Sequence, residues 1–483
     1  LVLGCSSASS GSAPAADGGH AGEGGTAPSD SVAEATRQAC GYGVGSLASE
    51  TQGASAPDGT KIPIDTIVII MMENRSFDHY FQDMPNNPGW TRGDGSATAS
   101  SSSVDVAPAG YTNIGSDGIT PVPLKPDTQY CFADTNHSWD GTHSEIHGGK
   151  MDGFAAANDG THETPMIGPP DFLNGARALT YYTKADMPFM YWAAENFAIG
   201  DRYFAAVPGP TWPNREYLYA ATSWGETTTG DFPTPTTPTV LDSLSAKSIS
   251  WANYAGSISD TLLFSKGPSY QSLYLKHSFS GTQFTTDATS GKLPHVTYLD
   301  PTLYPEGYDN NDEHPPAVMK VGQNWLAQTL KTLIASPQWA HMAVFLLYDE
   351  HGGLYDHVAP PPACAPDALS PKIAADGGTY GGFVEEGVRL PFAVFSPYAK
   401  HHYVSHKVYD HTSVLRFVEA RFGLGALTKR DANALAPWDV FDFTAAPMMT
   451  PPAVPDVPID QTVIDQCKTT FTATDVVNSP YAM

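Results

Sequence analysis

Six consecutive apolar residues, Ile67 to Met72, are too few to span a bilayer and are bounded by polar residues on both sides. A run hydrophobic at every position predicts a strand covered on both faces, as in a parallel α/β sheet. His341 to Tyr348 is a second run of this kind, and Val388 to Phe395 predicts a shorter strand. Between them lie helical periods. Lys320 to Ser336 carries Leu326, Leu330, Leu333 and Ile334 on one face and is stopped by Pro337. Ser413 to Phe422 places Val414, Leu415, Val418 and Phe422 inward, and Ala178 to Phe197 is helical towards its end. Residues 92 to 126, with a Ser/Thr/Ala-rich run at 96 to 103, predict a long surface excursion. Strand and helix patterns alternate without an internal repeat, which gives an α/β class.

Both long apolar runs end in acid. Glu73-Asn74 follows the first, with Ser76 as a helix N-cap, and Asp349-Glu350 follows the second, before His351-Gly352-Gly353. Ligands of open α/β sheets sit beyond the carboxyl ends of strands. Either run alone could close in a plain polar turn. Together they deliver three carboxylates and an amide to one sheet edge, where like charges repel unless a cation lies between them. Oxygen donors of this kind suit one hard divalent cation. Pro208, Pro210 and Pro213 forbid regular structure before a helix from Arg215 to Ala221, so Thr211 is displayed on a stiff turn at a helix N-terminus. That setting favours an anion beside a nucleophile. His137, His143 and His147 fall within eleven residues, but the zincin pattern is not met and Gly148-Gly149 marks a loop.

The charge, 25 Lys+Arg against 51 Asp+Glu for a net −26, argues against nucleic acid as a partner. The first residues, Leu1-Val-Leu-Gly-Cys5, look like the end of a lipoprotein signal with Cys5 as the acylated residue. The division that follows is 1–5 signal end, 6–60 flexible tether, 61–446 catalytic domain and 447–483 Pro-rich tail. Cys40, Cys131, Cys364 and Cys467 then leave two disulfides in three possible connectivities. Export to a bacterial cell envelope is expected, lipid-anchored or periplasmic/extracellular, with no obligate protein partner.

Glu73-Asn-Arg-Ser-Phe-Asp-His-Tyr-Phe81, Gly209-Pro-Thr-Trp-Pro-Asn-Arg215, Glu313-His-Pro-Pro316, Asp349-Glu-His-Gly-Gly-Leu-Tyr-Asp-His357 and Asp410-His-Thr-Ser413 stand in this order along the chain. Together they resemble the bacterial phosphoesterase family of phosphatidylcholine-specific phospholipases C and acid phosphatases. The resemblance implies an alkaline-phosphatase-like three-layer sandwich around a mostly parallel central sheet, with long loop insertions. It implies that Glu73, Asn74, Asp349 and Glu350 hold one divalent metal ion (Ca, Mg, Mn or Zn), with Thr211 as the nucleophile touching it. His137 and His314 would contact the phosphate. Asn214, His143, Asp356, His357 and His411 would bind phosphate or orient the ligands. The expected substrate is a phosphodiester of the phosphatidylcholine type, cleaved through a phosphothreonine. Gln82 stands where many family phospholipases carry Gly, and nothing after Phe443 has the patterning of a membrane-engaging domain. An acid phosphatase acting on monoesters is therefore the alternative, and a non-catalytic ligand-binding lipoprotein the second.

Overall fold

The structure is a computed structural model, which describes residues 27–57, 59–96, 98–127, 130–160, 174–230, 232–303, 307–372 and 382–470. The signal end at 1–5, with Cys5, lies outside them.

Eight strands form the central sheet: β1 (Thr66–Met72), β2 (Ala198–Gly200), β3 (Trp251–Ala255), β4 (Ser278–Ser280), β5 (Val296–Asp300), β6 (Met342–Tyr348), β7 (Ala393–Phe395) and β8 (Tyr403–Ser405). Their order is β4-β3-β5-β1-β6-β7-β2-β8. All neighbours are parallel except β7, which runs against both β6 and β2. The two unbroken apolar runs become β1 and β6. They lie side by side in parallel from Thr66↔Met342 to Met72↔Tyr348, and every residue of both is buried. Seven β-branched or bulky apolar side chains in a row leave no face for water, so both faces need helices.

Those layers come from two groups of helices, each packed within itself. One holds α5 (Thr211–Ala220) and α7 (His411–Phe422), and the other α4 (Pro188–Asn196) and α6 (Met319–Ile334). Shorter helices complete the set used below: α1 (Asp30–Gln38), α2 (Phe77–Phe81), α3 (Trp139–Ile146) and α8 (Gln461–Thr470). The α/β three-layer expectation holds.

Three local expectations change. The strand foreseen over 388–395 shrinks to β7, because Arg389 turns inward to bind carboxylates. The helix foreseen from Arg215 begins at Thr211, since Pro213 occupies its first turn, where a missing N–H costs nothing. The tether foreseen over 6–60 is built structure from Asp30 onward. Cys40 is bonded to Cys364, and Gln52 hydrogen-bonds Ala434 and Ala436. Composition signalled the weak burial of this stretch but not the partners supplied by the other end of the chain. The tail likewise contains α8, bonded to Cys131 through Cys467. Both disulfides therefore join residues more than 300 positions apart. Among the described residues, no helix is long and apolar enough to cross a membrane.

Candidate active site

The register of β1 on β6 sets Glu73 beside Asp349 at the carboxyl edge of the sheet, with Asp300 ending the next strand, β5. Both turns that follow are pinned to each other. Asn74 takes a left-handed conformation (φ 60°), and its N–H donates to Asp349 Oδ1 at 3.1 Å. Arg75 N–H donates to the Glu350 carbonyl at 3.0 Å. Gly352 (φ 64°) permits this approach, because a Cβ there would lie 2.5 Å from the Asn74 carbonyl oxygen. Gly353 does the same against the chain before His137, where a Cβ would lie 2.7 Å from the Asn136 carbonyl oxygen.

The cation expected between the carboxylates is partly supplied by the chain itself. Arg215, fully buried on α5, donates Nη2 to Glu73 at 3.2 Å and Nε to Asp349 at 3.3 Å. Its Nη1 reaches Asp260 at 3.0 Å. Burial pushes the Asp349 carboxyl up to about 8, against the opposing pull of Arg215. Thr211 stands one turn before Arg215 on the same helix face, at the first position of α5. Asn214 is turned to the main chain. Its amide accepts from Val207 N–H at 3.0 Å and donates to the carbonyls of Gly209 and Pro210, so it holds the turn that presents Thr211.

Glu350 faces a different neighbourhood. His351 lies between its carboxylate and that of Glu145 on α3, at 3.4 and 2.7 Å. Burial raises the Glu350 carboxyl, but His137 and His351 together hold it below its usual value. Its Oε1 is buried and, among the described residues, has no hydrogen-bond partner. The same is true of Asn74 Oδ1. An amide oxygen and a carboxylate oxygen left bare inside the protein cost energy unless something binds them. Both are hard donors, so a divalent cation fits the pair, with Glu73, Asp349 and Thr211 on adjoining elements.

His137 and His314 come together, their rings 5.7 Å apart and edge to face. Each Nδ1–H is committed to a backbone carbonyl, Thr135 at 2.7 Å and Pro315 at 2.6 Å. Both Nε2 atoms therefore point away from the main chain, and that of His137 lies 3.4 Å from the Asn74 side-chain nitrogen. His314 follows Glu313, whose left-handed turn (φ 73°) is fixed by Tyr80, Tyr348 (2.7 Å) and Gln323 (2.8 Å) on its carboxylate.

The remaining candidates are supports. His411 donates Nε2–H to the Asp349 carbonyl at 2.8 Å and accepts from Tyr203, and burial keeps it neutral, with its pKa lowered to about 4. Asp356 binds Arg389 and the Asp78 N–H, while His357 lies between Asp78 at 2.6 Å and Asp105 at 3.1 Å. His143 donates to the Trp139 carbonyl within α3 at 2.6 Å.

Two groups of three side chains bring possible ligand atoms within 4.8 Å of one another: Asp134, His137 and His314, and Asp78, Asp356 and His357. Arg389 already fills the second. Glu73, Asp349 and Glu350 do not form such a group. Two residues escaped the sequence reading. Arg215 was visible only as the end of a motif. Asp134 stands three residues before His137, 3.7 Å from its ring, a spacing that offered a clue.

A family model described as the phosphoesterase family matches residues 64–425. A non-specific phospholipase C of Arabidopsis thaliana is 31% identical over 421 residues, covering 81% of this chain and 73% of that one. Phospholipase C B of Mycobacterium tuberculosis is 29% identical over 449 residues, covering 84% and 83%. Among solved structures, the chain is similar to an alkaline phosphatase superfamily protein from Vibrio parahaemolyticus, with a TM-score of 0.32 and 11% identity over 62% of this chain and 83% of that chain.

Proposed function

The chain belongs to the phosphoesterase family and is a phosphoric ester hydrolase, and we propose that it is a metal-dependent phospholipase C acting through Thr211. The observation that carries this reading is the pair of bare buried oxygens, Asn74 Oδ1 and Glu350 Oε1, on the same sheet edge as Glu73 and Asp349. Glu73, Asn74, Asp349, Glu350 and Thr211 would hold one divalent cation. When bound, such an ion supplies Lewis acidity, favouring the ionised hydroxyl and offsetting phosphoryl charge.

Thr211 does the bond-making work. Its oxygen attacks phosphorus in line with the leaving alkoxide, and the phosphoryl group passes to the threonine. The N-terminus of α5, with the N–H groups of Thr211 and Trp212, favours the negative charge that builds there. His137 and His314 present Nε2 to the phosphoryl oxygens, their orientation fixed through Nδ1. Protonated His314, the less buried of the two, donates to the leaving alkoxide, and water then releases phosphocholine from Thr211, or phosphate where the substrate is a monoester. His411 and Asn214 hold Asp349 and the Thr211 turn in register. Phosphodiesters of the phosphatidylcholine type are the preferred substrate; the relatives are named as phospholipases C, which supports a phospholipid diester without naming its headgroup. The two disulfides support export to an oxidising compartment.

Thr211→Val tests the core of this reading. It removes the attacking oxygen while nearly keeping shape, so the rate should fall roughly 10³-fold or more with an unchanged fold, whereas Thr211→Ser retains measurable turnover. Asp349→Asn should weaken metal binding instead, and excess metal should restore part of its rate but none of that of Thr211→Val. Each protein is assayed on a phosphocholine diester and on a simple phosphomonoester. Near-normal turnover by well-folded Thr211→Val would end the covalent mechanism, and cleavage of monoesters alone would make the enzyme a phosphatase.

A further inference from the structure

The two histidines are carried by irregular chain, residues 130–138 and 307–318, rather than by strands or helices. Beneath both lies α8. Ile464 and Cys467 of α8 are buried in one apolar cluster with Cys131 and Ala133 from the first segment, Tyr308 and Val318 from the second, and Val321 from the start of α6. Cys467 is bonded to Cys131, six residues before His137. Lys468 reaches Asp309 at 3.3 Å, five residues before His314. The second segment is closed at its base by the Val318 N–H on the Tyr308 carbonyl at 2.9 Å. Its far end holds Glu313 to Tyr80 and Tyr348, with His314 the next residue. Thus one helix grips the root of each segment. The tips of the segments bring the imidazoles to 5.7 Å. The helix also lies beyond residues 64–425, the part of the chain matched by the family model.

We propose that α8 is a clamp that sets the separation of His137 and His314, with Ile464 and the Cys131–Cys467 bond as positioning residues. This rests on the phosphoryl-transfer reading above and adds to it the device that keeps two irregular segments in one geometry. Two imidazoles serving one phosphoryl group lose effect when displaced by about 1 Å, which makes a shared anchor for their segments functionally important. Salt-bridge strength has little part in this, because Lys468 and Asp309 are both largely exposed. Packing of Ile464 and the covalent bond carry the coupling.

The test compares the full-length protein with Ile464→Ala, which leaves the disulfide, and with Cys131→Ala/Cys467→Ala, which leaves the packing. Hydrogen exchange is followed without substrate in residues 130–138, 307–318 and β1. The expected result is faster exchange in both segments together in each variant, with β1 unchanged. In steady state, kcat/KM should fall by roughly tenfold or more, with the loss in kcat and KM nearly unchanged. Acceleration in only one segment, or none, would overturn the clamp, as would an unaltered kcat despite loosened segments. Failure of the unmodified protein to hydrolyse any phosphoester would instead overturn the proposed function, and the exchange data distinguish the two.

Discussion

At the scale of single residues, Arg215 changes the electrostatic argument most. The sequence places three acids at two strand ends, and their mutual repulsion alone points to a bound cation. Arg215 comes from 142 positions after Glu73 and already neutralises part of that charge. No local pattern announces such a contact, because it depends on how α5 is laid against the sheet. The histidines were easier to read, since His314 stands in a short motif and His137 in a cluster of three, yet their Nδ1 partners are backbone carbonyls that only the folded loops define. A prediction follows from the buried guanidinium. Arg215→Met leaves Glu73, Asp349 and Asp260 without their shared donor, which should destabilise the metal-free protein by about 3–5 kcal/mol. A divalent cation should then raise the melting temperature of the variant more than that of the parent. A metal-free variant as stable as the parent would show that the carboxylates do not depend on Arg215.

Elements were legible where one physical rule governs them. The unbroken apolar runs gave β1 and β6 to within a residue, and the period of α6 was plain, because burial on all sides or on one side leaves a simple imprint. The rule failed where another competed with it. Pro213 looked like a barrier and is an ordinary first-turn residue, and α8 was hidden in a Pro- and Asp-rich tail because its burial rests on only a few side chains. Between elements, the charge cluster around His357 joins α2, through Asp78, to the turn after β6 and to Asp105 and Arg389. Burial alone would lower the His357 pKa, but Asp78 and Asp105 outweigh it and bring it up to about 9. A histidine raised in the folded state contributes stability that is complete below its ordinary value of 6.5 and is lost as pH rises through about 9. That contribution is about 3 kcal/mol. Urea unfolding across this range should therefore show a decline with pH that His357→Gln flattens, and parallel declines in the two proteins would remove His357 as the cause.

For the whole molecule, the sheet accounts for the position of the site and the two disulfides account for the ends of the chain. Cys40–Cys364 and Cys131–Cys467 form overlapping loops, so the span from 131 to 364 belongs to both. A peptide bond cut inside that span yields two fragments still joined twice, and a cut elsewhere between 40 and 467 leaves them joined once. Strands β1 and β6 stay paired across such a break because their contact is through the sheet and not along the chain. The enzyme should therefore tolerate nicking. After limited proteolysis it should migrate as one species without reductant, separate into pieces with it, and keep its hydrolytic activity until the bridges are opened. Fragments that part without reductant would contradict the pairing. For a protein exposed to extracellular proteases, the overlap would turn a lethal cleavage into a silent scar.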